Sequence, residues 1–114
     1  MLIHEYLNEA RSFERKHLPF VESLEDLDLL IIIGLHQERG SLVTMKQILA
    51  CEIGSVATLE RRLARLKQLG VVTQARAKQD KRNVELKLNA KTSRVFKRYA
   101  GLIGNSTSQY FANQ

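Results

Sequence analysis

At 114 residues the chain suits one domain, long enough to bury a core without disulfide or metal staples. Apolar residues make up 44% and charged residues 26%, with no Trp and one Pro, which excludes a disordered or fibrous chain and suits a soluble, mostly helical one. The net charge of +6 is unevenly placed: residues 1 to 54 hold five Lys/Arg and nine Asp/Glu, a net of −4, and residues 55 to 100 hold thirteen Lys/Arg and three Asp/Glu, a net of +10.

The N-terminus, MLIHEYLNEARSFERKH, is rich in acids and lacks a basic start followed by an apolar block. It therefore reads as neither a signal nor a transit peptide, and the protein is expected to stay where it is made, in the cytoplasm. Residues 2 to 18 read as a helix whose apolar stripe is Leu2, Tyr6, Leu7, Ala10 and Phe13, a stripe suited to the domain's own core or to a partner subunit. Pro19 ends it, having no N–H to donate and restricting the residue before it.

Ser23 is an N-cap, and Asp26 supports the first turn of the next helix, over residues 24 to 38. Leu27, Leu30, Ile31 and Leu35 follow the i, i+3, i+4 rule, and Ile32 and Ile33 widen the stripe, which predicts the central core helix. The apolar run here, residues 29 to 35, is far below the roughly 20 residues needed to span a membrane. Gly40 closes the helix as a C′ residue.

Leu42-Val43 predicts a small strand, and Thr44 caps a short helix over residues 45 to 51 with Ile48 and Leu49 inward. Cys51 is the sole cysteine, so no internal disulfide forms, in keeping with a reducing compartment, and its apolar neighbours predict a buried small hydrophobe. Glu52-Ile53-Gly54 reads as a tight turn, and Ser55 caps a helix that runs to Leu69 and stops at Gly70. Two helices joined by a short Gly-containing turn form a helix-turn-helix.

VVTQARA, the polar tip KQDKRN and the alternating VELKL then read as a hairpin over residues 71 to 88. A last helix starts at Asn89 or Thr92, carries Val95, Phe96, Tyr99, Leu102 and Ile103, and is expected to end at Gly104. The remaining polar tail is expected to fray, with Tyr110 and Phe111 as a docking contact. The order helix, helix, short strand, helix, helix, hairpin, helix is a winged helix-turn-helix, mainly α with a small β-hairpin. Residues 1 to 114 form one domain, with segments 1 to 22 and 90 to 114 as dimerisation elements.

On a helical wheel the fourth helix turns Val56, Leu59, Leu63 and Leu66 toward the core, with Leu69 on the flank. Ala57, Thr58, Arg61, Ala64, Arg65 and Gln68 lie opposite. Small residues near the N-terminal end let a recognition helix enter a major groove closely, and that end reaches base edges. Arginine's fork matches guanine O6 and N7, and the Thr hydroxyl and methyl suit a base edge or a thymine. The expected DNA-binding residues on this helix are Ser55, Ala57, Thr58, Arg61, Arg62 and Arg65. Arg62 points sideways, toward a phosphate or toward an acid of the same chain.

From Asp80-Lys81-Arg82 through Val84-Glu85-Leu86-Lys87-Leu88 to Asn89-Ala90-Lys91-Thr92, the sequence resembles the MarR family of bacterial winged-helix regulators. The family wing carries Asp-x-Arg at its tip, an alternating strand, then Leu-Thr. Leu66, Gly70, Val71 and Val72 also match the family's Leu-x-x-x-Gly-Leu-Val ending of the recognition helix. The chain departs from the pattern at Asn89, where Thr is usual, and at Thr92, where Gly is frequent. The resemblance implies that Arg82 enters the minor groove, that Asp80 orients Arg61, Arg65 or Arg82, and that Lys78 and Lys81 meet phosphates. It further implies a homodimeric transcriptional regulator, a repressor by preference, acting on double-stranded DNA.

An enzyme is not expected. His4, His17 and His36 are scattered without metal-ligand spacing, there is no Gly-rich phosphate loop, and no titratable groups converge. No cofactor, metal or membrane is expected, and no residue pattern names a small-molecule effector. The alternative is a winged-helix protein-interaction module without sequence-specific DNA binding, working through acidic residues 1 to 38. Binding to structured RNA is a third alternative, and the few aromatics of the basic half argue against a single-strand stacking platform.

Overall fold

Three of the helices begin on side-chain caps. Ser23 Oγ accepts from Asp26 N at 3.2 Å, Thr44 Oγ1 from Gln47 N at 3.3 Å, and Ser55 Oγ from Thr58 N at 3.2 Å. Gln47 Oε1 also accepts from Thr44 N at 2.9 Å, so the short third helix starts on a reciprocal capping box. The structure, a computed structural model, describes residues 2 to 76 and 84 to 112, apart from the side chains of Arg76, Ser106, Thr107, Gln109, Tyr110 and Phe111. Its elements are α1 (Ile3–His17), α2 (Leu24–Glu38), β1 (Val43–Thr44), α3 (Met45–Ala50), α4 (Val56–Gln68), β2 (Val72–Arg76), β3 (Val84–Leu88) and α5 (Ala90–Ala112). They form the mainly helical winged-helix arrangement that the sequence predicts.

The chain divides into two units, Glu22–Ala90 and Met1–Val21 with Lys91–Gln114. In the first unit β1, β3 and β2 make an antiparallel sheet in that order, with Val43 opposite Leu86 and Val72 opposite Leu88. Leu29, Leu30 and Ile33 of α2, Ile48 of α3, Leu59 and Leu66 of α4 and Leu86 of β3 are buried together as the core. β1 is only two residues long, so beyond it Leu88 N donates to Gln37 Oε1 of α2 at 3.0 Å instead of to a strand carbonyl. The helix comes close enough there that a Cβ on Gly34 would meet Leu88 Cδ1 at 3.3 Å.

In the second unit Glu14 is buried on α1 and accepts from Tyr99 Oη of α5 at 2.7 Å and from Arg11 Nη1 at 2.8 Å. Phe13 packs edge-on against Tyr99 with ring centroids 5.0 Å apart. Burial, reinforced by the hydrogen bond to Glu14, raises the Tyr99 phenol above its ordinary pKa, so it remains a donor well into alkaline solution.

Several expectations need correction. The buried face of α2 runs through Asp26, Leu29, Leu30 and Ile33, while Ile31 and Leu35 are exposed. Leu30 and Ile33 of the expected stripe are inward, and the carboxylate of Asp26 shares their row. Cys51 is exposed, not buried. α3 stops at Ala50, and Cys51 takes the C-cap, where the chain turns outward. Leu2 and Leu7 of the first stripe and Val56 of α4 are exposed as well. Gly104 does not end α5, which continues to Ala112. A single glycine costs a helix only about 1 kcal/mol, and no proline follows to stop it. The side chains of Tyr110 and Phe111 lie outside the described residues.

Candidate nucleic-acid interface

The turn between α3 and α4 reverses the chain at Glu52, whose φ of 56° is left-handed and unusual for a residue with a side chain. Gly54 is tight for another reason: a Cβ there would meet Leu59 Cδ2 at 3.2 Å and Glu25 Cγ at 3.5 Å. Ser55 then starts α4 and also donates from Oγ to Thr58 Oγ1 at 2.9 Å, so the hydroxyls of two expected contact residues are already joined. Leu59, Leu63 and Leu66 turn inward. Ala57, Arg61, Ala64 and Gln68 are exposed, and Thr58 and Arg65 are half-buried.

The three arginines of α4 are placed differently. Arg61 is exposed. Arg62 Nε donates to Asp26 Oδ1 at 2.7 Å and Nη2 to Asp26 Oδ2, a two-point fork, and Nη2 also lies 3.3 Å from Glu22 Oε1. Arg65 Nε lies 2.7 Å from the same Glu22 oxygen, and its Nη1 lies 3.6 Å from Asp26 Oδ2. Burial works against the Asp26 charge, but the Arg62 hydrogen bonds, the Glu22 N–H at 2.9 Å and the two guanidinium charges outweigh it and hold the carboxyl below its ordinary range. Arg62 in turn holds its proton more tightly than an ordinary arginine, chiefly through its hydrogen bond to Asp26. Of the two directions open to Arg62 in the sequence, it takes the one toward acids of the same chain.

The sequence alone assigns Asp26 only the support of a first turn, and assigns Glu22 no role. One signal was available: Asp26 precedes Leu29, Leu30 and Ile33 by three, four and seven positions, so it shares their helical row. An acid in an apolar row calls for a cation, and Arg62 was the sideways-pointing candidate.

The end of α4 is tied to the wing. Gly70 (φ 76°) stands at C′, Gly70 N donates to Lys67 O at 3.0 Å, and Val71 N donates to Leu66 O at 3.0 Å, the two bonds of a Schellman motif. Asn89, just after β3, donates from Nδ2 to Gly70 O at 2.6 Å and from its backbone N to Val71 O at 2.9 Å. Asn89 thus clamps the helix end to the hairpin base. Between them β2 and β3 pair from Val72 with Leu88 to Arg76 with Val84. Lys78, Asp80, Lys81 and Arg82, the expected tip residues, lie outside the described residues. The described residues contain no group of three or more His, Cys, Asp or Glu that could hold a metal ion, and no described helix is long and apolar enough to cross a membrane.

No family model matches the chain, and no curated protein matches its sequence. Solved structures do match. S. aureus MepR in complex with DNA is similar with a TM-score of 0.78 at 15% identity, over 96% of this chain and 78% of that one. A mutant of E. coli MarR complexed with operator DNA is similar with a TM-score of 0.60 at 21% identity, over 95% of this chain and 75% of that one. A mutant of Lactococcus lactis ZitR gives 0.62 at 18% identity, over 96% and 78%. These are MarR-family winged-helix regulators, and this chain has their fold.

Proposed function

We propose that this chain is a sequence-specific transcriptional regulator of the MarR type that binds double-stranded DNA, with α4 in the major groove and the hairpin of β2 and β3 in the minor groove. The observation that carries the reading is the outward face of α4. It presents Ala57, Arg61, Ala64 and Gln68 to solvent on a helix that follows a helix-turn-helix turn and is clamped to a wing. Small residues permit close approach, and an exposed arginine supplies the fork for a guanine edge or a phosphate. The similar folds of MepR and MarR have both been solved with DNA, which supports the same use here. Arg61 is then the first base reader, Ser55, Ala57 and Thr58 lie at the groove-facing start of the helix, and Lys78, Lys81 and Arg82 meet the backbone or the minor groove, with Asp80 orienting an arginine.

The protein acts as a homodimeric repressor in the cytoplasm, at the nucleoid. Leu2, Ile3 and Leu7 of α1 are exposed apolar side chains, which supports a partner subunit on the terminal helices. A two-fold dimer would read a pseudo-palindrome with half-sites about 10 to 10.5 bp apart. Selection of bound sequences from random duplex DNA, at several salt concentrations, tests the reading. A steep salt dependence with an enriched inverted repeat supports it. A steep dependence without enrichment leaves a non-specific binder, and no binding at low salt overturns it.

A further inference from the structure

Arg62 and Arg65 lean on the same pair of acids but are held by different means. Arg62, with 19% of its side chain exposed, forks onto Asp26, which is fully buried. Arg65 is 30% exposed, and its Nε lies 2.7 Å from an oxygen of Glu22, a residue whose own side chain is 54% exposed. That oxygen is shared with Arg62 Nη2 at 3.3 Å. The Glu22 backbone is fixed, because its N–H donates to Asp26 Oδ2 at 2.9 Å, but nothing buries its carboxylate. Glu22 can therefore swing away without disturbing the helix cap or the Arg62 fork. A carboxylate oxygen and a phosphate oxygen offer a guanidinium the same kind of charged acceptor, so either can occupy it.

We propose that Glu22 is an internal competitor for Arg65. Its carboxylate holds the guanidinium in the free protein and has to give it up before Arg65 takes a DNA phosphate or base edge. The proposal rests on the DNA-binding reading above. Arg62 has no such exchange, since leaving Asp26 would strand a buried charge. It is a positioning residue that fixes α4 on α2, whereas the carboxylate 2.7 Å from Arg65 Nε belongs to the half-exposed Glu22. Glu22 thereby limits affinity at one contact without touching the fold.

The test is a titration of labelled duplex DNA at two salt concentrations with wild type, Glu22→Gln, Arg65→Ala and the double variant, each checked by thermal unfolding. Arg65→Gln replaces the alanine variant should that one unfold. Removing an exposed ion pair corresponds to a gain of about two- to five-fold, so Glu22→Gln is expected to bind DNA that much more tightly. In the Arg65→Ala background the same change is expected to gain nothing. An equal gain in both backgrounds overturns the proposal, because simple repulsion between Glu22 and DNA would then explain it. Unchanged or weaker binding by Glu22→Gln while wild type binds also overturns it and leaves the DNA reading intact. No binding by any of the four at low salt removes both.

Discussion

Arg62 of α4 reaches across to α2 and grips the buried carboxylate of Asp26 with two nitrogens, Nε at 2.7 Å from Oδ1 and Nη2 on Oδ2. Asp26 Oδ2 also accepts from the Glu22 N–H at 2.9 Å, so both carboxylate oxygens accept hydrogen bonds. The pair joins the helix that forms the core to the helix that offers the exposed arginine, and it does so inside one unit of the fold.

Breaking this pair from the arginine side leaves a carboxylate buried without its cation. Arg62→Met is expected to lower the urea midpoint more than the double variant Asp26→Leu/Arg62→Met does, because the double change removes the stranded charge along with its partner. Asp26→Ala alone should cost about 1.5 to 3 kcal/mol, the range for hydrogen bonds to a charged group. If the double variant is as unstable as the sum of the singles, the two residues are not coupled.

The same carboxylate predicts an acid limb to stability. Asp26 is held below its ordinary value of 3.8 in the folded chain, so the unfolded chain takes up its proton first as pH falls. The stabilisation is thus complete above pH 3.8 and is lost as pH drops further, through the folded-state value. Denaturant titrations between neutral pH and that region should show a steeper loss for wild type than for Asp26→Asn. Parallel curves would assign the acid sensitivity to other carboxylates.

Much of this fold was legible from caps and stops. Ser23, Thr44 and Ser55 start their helices as predicted, and Gly40 and Gly70 both adopt the left-handed conformation that ends the preceding helix. These features are local, set by one or two side chains and the backbone beside them. What was missed is non-local. The Asp26–Arg62 pair spans 36 positions, and the period of α2, which sets Asp26 in the row of Leu29, Leu30 and Ile33, does not say which distant cation meets it. The buried row of α2 runs through Asp26, Leu29, Leu30 and Ile33, and Ile31 and Leu35, good stripe residues by spacing, end up exposed. Arg61 and Arg65 were legible on one outward face with Arg62 to its side, but their division between solvent and internal acids depends on Glu22 and Asp26.

Glu52 carries a side chain where the chain needs a left-handed turn, with φ at 56°. Glycine adopts that conformation without the Cβ clash. Glu52→Gly is expected to raise stability by about 1 kcal/mol, measured by chemical denaturation, with no change in helix content by circular dichroism. A loss of stability would mean that the glutamate side chain makes a contribution outweighing the backbone strain.

Gly104 lies inside α5, and a Cβ added there meets nothing within 4 Å. Alanine is a better helix residue by about 1 kcal/mol and narrows the unfolded ensemble. Gly104→Ala should therefore raise the melting temperature of the protein. The outcome is sharper if the association state is followed at the same time. A rise in Tm with weakened self-association would place this glycine where a second chain packs.

The DNA reading makes its most specific claim at Arg61, the exposed arginine of α4. A base-reading arginine and a phosphate-binding lysine fail in different ways when removed. Arg61→Ala should cost about 1 to 3 kcal/mol on the preferred sequence and flatten the preference at one position, because a fork to guanine distinguishes that base from the others. Lys81→Ala should instead weaken all sequences alike and reduce the slope of log affinity against log salt by about one. Competition titrations with the selected site and single-base variants separate the two patterns. If Arg61→Ala weakens every sequence equally, Arg61 is a phosphate contact, and the readout of sequence has to lie at the Thr58 end of the helix or in the wing.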